Sequence, residues 1–359
     1  MDTVLDTLQS RGIERAGSKE RGFRYRKRGG GRLTAEDRAR IEALKVPPAW
    51  SDVLIAPDAR ARVQAVGRDT AGRLQYRYSA AHTEAQGQRK YERLIQFAQA
   101  LPAMRHRVEA DLRRSGLGRD RVLAGMLRIM STCFFRGGSE VYAKENGSFG
   151  IATLRPKHVK VKGDSIFFDF PGKSGQRQQR ELKDRRVAKL VRELLAVPGR
   201  DVFKMVLDDG AVLDVRRRHL NEYIREVMGQ EFTAKDFRTW AGTLMAACAL
   251  SRCACVPCEN KAKQKKALVL AIKETAQHLG NTPAVCKASY ISPRIFECFE
   301  RGQVVQRAFK DLAELQGHGE HTLHSCERAL LAMLTGSPQK ARAVVARAHA
   351  ALPPDAVAA

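Results

Sequence analysis

Five side chains in this sequence have types that could together handle a phosphate ester: Tyr290, Arg136, Lys173, Arg238 and Asn281. A phenol is a nucleophile once it loses its proton. Guanidinium forks bind phosphate oxygens bidentately. A lysine ammonium can release a proton, and an asparagine amide can donate a hydrogen bond. Each residue also has a plainer local reading. Tyr290 precedes Ile291-Ser292-Pro293; Pro293 disfavours a helical Ser292, so Tyr290 falls in a loop or at a helix junction, where a tyrosine is more often simply packed. Arg136 follows the apolar run MLRIMSTCFF and precedes Gly137-Gly138, as a charge complementing a helix C-terminus would. Lys173 sits in the turn Pro171-Gly172-Lys173-Ser174-Gly175, Arg238 has Asp236 within reach, and Asn281 after Gly280 suits a helix stop.

The elements that must carry these residues are of two kinds. Residues 12–32 are basic and Gly-rich and read as a flexible arm able to touch phosphate. Thr34–Leu44 predicts a short helix capped by Thr34, with Glu36 and Asp37 in its first turn. From Trp50 to Tyr78 the period becomes two: Val53–Ile55, then Val63, Ala65 and Gly67, then Leu74, Tyr76 and Tyr78, with a turn at Asp69–Gly72. From Gln88 the pattern turns helical, over Tyr91–Ala100, Met104–Ser115 and Arg119–Phe134. Three strands interrupt it at Lys157–Lys162, Ser165–Phe170 and Gln178–Leu182. Helices resume at Asp184–Ala196, at Val215–Met228 with Asp214 as cap, after Thr233, over 260–279 up to Gly280, and from Ser292-Pro293 over about 293–316. The expected class is α+β in two lobes. An N-terminal lobe with an antiparallel sheet covers 1–84 with the arm at about 1–32, a mostly helical lobe with a small three-stranded sheet covers 85–335, and an Ala- and Pro-rich tail without core contribution covers 336–359.

Charge narrows the partner. The 359 residues hold 64 Lys+Arg against 39 Asp+Glu, a formal net charge of +25, which favours a polyanion with counterion release on binding. Apolar runs are short, as in Ala267–Ile272, so no membrane span is expected. The N-terminus lacks an apolar export segment and the eight cysteines read as reduced thiols, which together predict a cytoplasmic protein.

Several stretches taken together resemble the type IB DNA topoisomerases, of the small bacterial branch akin to the poxvirus enzymes. They are Val46–Trp50 (VPPAW), Gln64–Tyr78 (QAVGRDTAGRLQYRY), Arg136–Leu154 (RGGSEVYAKENGSFGIATL), Phe170–Gly175 (FPGKSG), Lys235–Trp240 (KDFRTW) and Leu279–Pro293 (LGNTPAVCKASYISP). The resemblance spans about residues 30–315. It implies Tyr290 as nucleophile, with Arg136, Lys173 and Arg238 as the catalytic cations. Asn281 stands where many relatives have histidine. The resemblance further implies DNA contacts at Gln75, Tyr76, Tyr78, Tyr142 and Lys235. It implies a monomer acting on double-stranded DNA without cofactor, ATP or required metal. Supercoils of both signs would relax through a 3′-phosphotyrosyl intermediate. The chemistry is coherent, because cationic forks stabilise charge building on the phosphate and favour the phenolate, while a lysine on a turn can protonate the departing 5′ oxygen. Close relatives would carry a histidine directly after Tyr78; here Ser79-Ala80-Ala81-His82 follows.

Two other readings compete. A tyrosine recombinase uses similar Arg–Lys–Arg–Tyr chemistry but would synapse two sites, and VPPAW and QYRY speak against it. A non-enzymatic basic DNA-binding protein would never become covalently attached to DNA. Cys253, Cys255 and Cys258 could hold zinc with Cys248 or His278, but no second pair at zinc-finger spacing occurs, and the expectation is thiols without metal.

Overall fold

A computed structural model of the chain describes residues 4–253, 260–305 and 323–350. The chain divides into two compact units, Met1–Tyr91 and Glu92–Ala359.

The first unit is built on a five-stranded antiparallel sheet of order β2-β1-β3-β4-β5. Its elements are α1 (Val4–Arg11), β1 (Ile13–Ser18), β2 (Gly22–Lys27), α2 (Ala35–Ala43), β3 (Ser51–Ile55), β4 (Val63–Arg68) and β5 (Leu74–Tyr78). The expected flexible arm thus supplies two of the sheet's five strands. Arginines masked the alternation: Ile13 is buried and pairs with Ile55, while Arg15 sends its guanidinium inward. That guanidinium donates to the carbonyls of Pro47 (3.1 Å) and Trp50 (2.6 Å) and lies over the Phe23 ring, which fixes the VPPAW loop. Helix α2 starts as its cap predicts, with Thr34 Oγ1 accepting from Asp37 N–H at 3.0 Å and the Asp37 carboxylate accepting from Thr34 N–H.

Helix α3 runs unbroken over Ala80–Leu112 and carries Pro102 inside it. The sequence predicted a break there. A continuous buried stripe of Leu94, Phe97, Ala98, Leu101, Met104 and Val108 outweighs the proline's cost of about 3 kcal/mol.

In the second unit α4 (Arg119–Cys133) and α8 (Ala234–Ser251) are almost wholly buried and form the core. Around them lie α5 (Glu140–Glu145), the sheet β6 (Val159–Lys162), β7 (Ser165–Pro171) and β8 (Arg177–Lys183), then α6 (Arg185–Ala196) and α7 (Arg217–Met228). After α8 come α9 (Lys261–Leu279), α10 (Pro283–Tyr290) and α11 (Pro293–Glu300). Asp184, which the sequence reading placed inside the helix, is its cap, accepting from Arg186 and Val187 N–H. Asp214 does not cap α7: it ends a short strand (Val212–Asp214) paired with Lys204–Val206, and Arg216 holds the cap position.

The expected tail without core contribution contains a helix, Pro338–Ala350, with Ala341 and Val344 buried. It follows a helix Ser325–Thr335, whose buried Glu327 accepts from Arg105 (2.8 Å) and from Trp240 Nε1 (3.3 Å). The predicted helix over 293–316 ends at Glu300: residues 301–305 are a turn and non-helical chain, and those from 306 lie outside the described residues, as do Cys255 and Cys258. Among the described residues no group of three or more potential ligands surrounds a metal position, and no helix is long and apolar enough to cross a membrane.

Candidate active site

The C-terminus of α9 is where the chemistry-bearing side chains meet. Gly280 ends that helix in the left-handed region (φ +59°), a conformation that costs glycine nothing. The last carbonyls of a helix lack intrahelical partners and carry partial negative charge. Three arginines from three other elements satisfy three successive ones. Arg180 of β8 donates to His278 O, Arg238 of α8 to Leu279 O (2.7 Å), and Arg136 to Gly280 O (3.1 Å). Arg136 also donates to Asn281 Oδ1.

Each arginine is aimed by its own local structure. Phe134 closes α4 with φ 57°, rare for a bulky residue and costing roughly 1–3 kcal/mol. That turn points Phe134 O at Arg238 Nη1 (2.6 Å) and directs the chain out at Arg136. The Arg136 segment is then held by Ile151 N–H on Arg136 O (2.9 Å) and Ala152 N–H on Gly137 O (3.1 Å). Arg238 is 3% exposed. Asp236 does not pair with it; Asp236 caps α8 through Thr233 and binds Arg93.

Tyr290 is the last residue of α10, so the predicted helix junction is where it lies. The Arg238 guanidinium carbon is 5.0 Å from its ring centroid. The Tyr290 carbonyl accepts from Thr243 Oγ1 (3.2 Å), and the same hydroxyl accepts from Ser292 N–H (3.1 Å). Such packing of α10 on α8 requires Gly242, where a Cβ would stand 2.7 Å from Tyr290 O.

The electrostatics are those of an anion site. Burial lowers the Arg136 pKa to about 10, helped by the Arg238 charge and opposed by Tyr290. Burial likewise lowers Arg238, and burial lowers Arg180. Among the described residues none of the three has a carboxylate partner. Three buried donors, Arg180 Nε, Arg238 Nε and Asn281 Nδ2, have no acceptor among the described residues. Charge-assisted and amide donors left in this state match the oxygens of a phosphodiester.

Lys173 is placed differently. It is exposed at the tip of the β7–β8 hairpin, beside Ser174 with φ 59°, and among the described residues no hydrogen bond or ion pair joins it to the arginine cluster. The base of its hairpin does touch the cluster, since the Gln178 amide fills the space that a Cβ on Gly280 would need. Lys235 is exposed in the first turn of α8, one turn before Arg238. Tyr142 is 44% exposed on α5, next to the exposed Val141. In the other unit, Tyr76 and Tyr78 project together from the edge strand β5 with ring centroids 6.3 Å apart. Gln75 binds Asp69 (3.0 Å). His82, three residues later than the resemblance leads one to expect, is brought by the first turn of α3 to 5.2 Å from the Tyr78 ring.

Sequence reading passed over Arg180, Gln178, Thr243 and Gly242. A signal for Arg180 exists: Gln178, Arg180 and Leu182 alternate on β8 opposite Phe170, Phe168 and Ile166, so a charge occupies a core register.

Comparison with known proteins identifies the chain's relatives. Residues 79–315 match the family described as the catalytic core of eukaryotic DNA topoisomerase I. Residues 22–69 match the N-terminal domain of bacterial DNA topoisomerase IB. The chain is 36% identical over 273 residues to DNA topoisomerase 1B of Acanthamoeba polyphaga mimivirus, covering 75% of this chain and 81% of the relative. It is 24% identical over 268 residues to DNA topoisomerase 1B of vaccinia virus (strain Copenhagen), covering 72% and 80%. It is 23% identical over 295 residues to DNA topoisomerase 1 of rabbit fibroma virus, covering 76% and 85%.

Proposed function

Because the chain belongs to the type IB DNA topoisomerases and is an isomerase acting on DNA, we propose that Tyr290 is its nucleophile and that Arg136, Arg238, Asn281 and Lys173 serve the same reaction. The Tyr290 oxygen bonds to phosphorus as the bond to the 5′ oxygen breaks, leaving a 3′-phosphotyrosyl link. Arg136 and Arg238 hold the non-bridging oxygens and Asn281 donates one further hydrogen bond. Lys173 swings in from its hairpin and gives the departing 5′ oxygen a proton. The freed end rotates about the intact strand and attacks back, and the bond energy kept in the covalent link makes ATP unnecessary.

The observation that carries this reading is the arginine cluster beside Tyr290: among the described residues its partners are carbonyls, the Asn281 amide oxygen and the Tyr290 side chain, with three buried donors left over. Exposed aromatics on β5 and α5 and the exposed Lys235 support DNA contacts by Gln75, Tyr76, Tyr78, Tyr142 and Lys235, with the N-terminal unit helping to clamp the duplex. The protein works as a monomer in the bacterial cytoplasm.

The test is relaxation of positively and negatively supercoiled plasmid in EDTA without ATP, with Tyr290→Phe in parallel. Wild type relaxes both signs, and Tyr290→Phe binds DNA without relaxing it or becoming attached. A covalent adduct formed by Tyr290→Phe refutes the assignment of the nucleophile, and relaxation that needs a divalent metal refutes the arginine chemistry.

A further inference from the structure

The arginine on His278 O is not among the residues assigned above. We propose that Arg180, with Gln178, is a positioning pair that locks the general-acid hairpin to the phosphate-binding turn, so that leaving-group protonation is in register with attack. The inference rests on the reading of Lys173 as the general acid.

Strand β8 begins four residues after Lys173, in a hairpin closed by Gly172 N–H on Gln176 O (2.8 Å). That strand meets the end of α9 at two points. The Arg180 fork donates to His278 O through one nitrogen and to Gln179 O (2.7 Å) through another. Two residues back, the Gln178 amide packs on Gly280: a Cβ there would lie 2.3 Å from Gln178 Nε2. Asn281 follows directly, and Arg136 holds the same turn. The reach of Lys173 toward a phosphate held by Arg136, Arg238 and Asn281 is therefore set through β8.

A purely structural role is a poor account of Arg180. Its position faces Phe168 across the sheet, where an apolar side chain would pack without desolvating a charge. Its Nε is buried without a partner, and its charge adds to that of Arg238 without a compensating carboxylate among the described residues. Cys133, at the end of the helix that leads to Arg136, feels the same charge. Arg180 thus lies among the ends of α4, α9 and the lysine hairpin, which are the three segments that must stay in register.

The test is single-turnover cleavage of one duplex carrying either oxygen or sulfur at the scissile 5′ position. A thiol, with a pKa of about 8.5, leaves as thiolate and needs no acid. The variants are Arg180→Met, Arg180→Lys, Gln178→Ala and Lys173→Ala. Arg180→Met and Gln178→Ala should slow the oxygen substrate about 10- to 100-fold, as a misplacement near 1 Å does, and cleave the sulfur substrate at nearly the wild-type rate. Arg180→Lys should recover part of the loss. Equal slowing on both substrates, or no slowing, overturns the inference. Lys173→Ala separates the two levels: if sulfur does not rescue it, the reading of Lys173 falls; if sulfur rescues it but not Arg180→Met and Gln178→Ala, only the positioning role falls. Should Arg180→Met fail to fold, Arg180→Lys and Gln178→Ala decide by the same comparison.

Discussion

Replacing Gly242 by alanine should separate stability from catalysis. Gly242 lies in the middle of α8 with an ordinary helical backbone, so on propensity alone alanine would stabilise the helix by about 1 kcal/mol. The new Cβ, however, would stand 2.7 Å from the Tyr290 carbonyl oxygen and 2.9 Å from the Tyr290 Cβ. Ordinary contact begins near 3.4 Å, so Tyr290 must retreat by roughly 0.7 Å. It cannot do so by a side-chain rotation, because the obstructing atoms are its backbone and Cβ. Retreat also pulls on the Thr243 hydroxyl bridge to Tyr290 O and Ser292 N–H. The strain then roughly offsets the propensity gain, and the melting temperature should change by no more than a few degrees. The nucleophile, displaced by most of an ångström, should cleave about 100-fold more slowly. Single-turnover cleavage of a labelled duplex, with a thermal melt of the same preparation, measures both. A variant that is more stable and cleaves at the wild-type rate would refute the claim that α10 is pressed on Gly242 to place Tyr290.

Asn281→Ala removes one neutral donor, whereas Arg238→Ala removes a buried fork that also holds Phe134 O and Leu279 O. Cleavage should fall about 10-fold in the first and by 10³-fold or more in the second, and equal losses in a single-turnover assay would contradict the division of roles. Burial raises the Glu327 pKa, but the Arg105 charge and hydrogen bond and the His324 N–H prevail and hold it below the ordinary carboxylate value. Its stabilisation is therefore fully present above pH ~4.3 and is lost as pH falls through the lower folded-state value. Glu327→Gln should cost about 2 kcal/mol at pH 7 by chemical denaturation and flatten the acid limb of the stability curve, and an unchanged acid limb would place that limb on other carboxylates.

What could be read from the sequence followed from how strongly local pattern dictates structure. The Thr34 cap, the helix near Asp184–Ala196, the Gly280 stop and the β6–β8 strands are signals carried within a few residues, and the structure has them. The site residues were nameable because their motifs recur as a set, not because any one of them is unusual in its neighbourhood. Three readings failed where a tertiary contact overrode the local pattern. Arginines hid the alternation of β1 and β2, since the packed side chain at Arg15 is itself charged. Pro102 suggested a break that a buried stripe suppressed. Ala-rich residues after 336 carried too little apolar signal to reveal a helix that buries Ala341 and Val344. No periodicity could have announced that Arg136, Arg180 and Arg238 converge, because their meeting point is a helix end contributed by a fourth segment.

That meeting point explains why, among the described residues, no acid pairs with these arginines. Three guanidinium groups need acceptors to hold them in place before DNA arrives, and a carboxylate would be the strongest acceptor available. It would also cancel the charge that the phosphate must find and would have to be displaced at each turnover. Backbone carbonyls at a helix C-terminus orient the same forks with only about half an elementary charge of compensation spread over the last turn. The net positive charge survives; burial lowers the pKa of Arg136 and of Arg238, with Arg238 adding to the effect at Arg136 and Tyr290 opposing it at both. An anionic phosphate offsets the repulsion between the arginines and supplies the charge partner that burial has denied them. Introducing a carboxylate by Asn281→Asp, beside Arg136, should therefore quench cleavage more than Asn281→Ala does, although Asp is the closer isostere and Ala removes the side chain altogether.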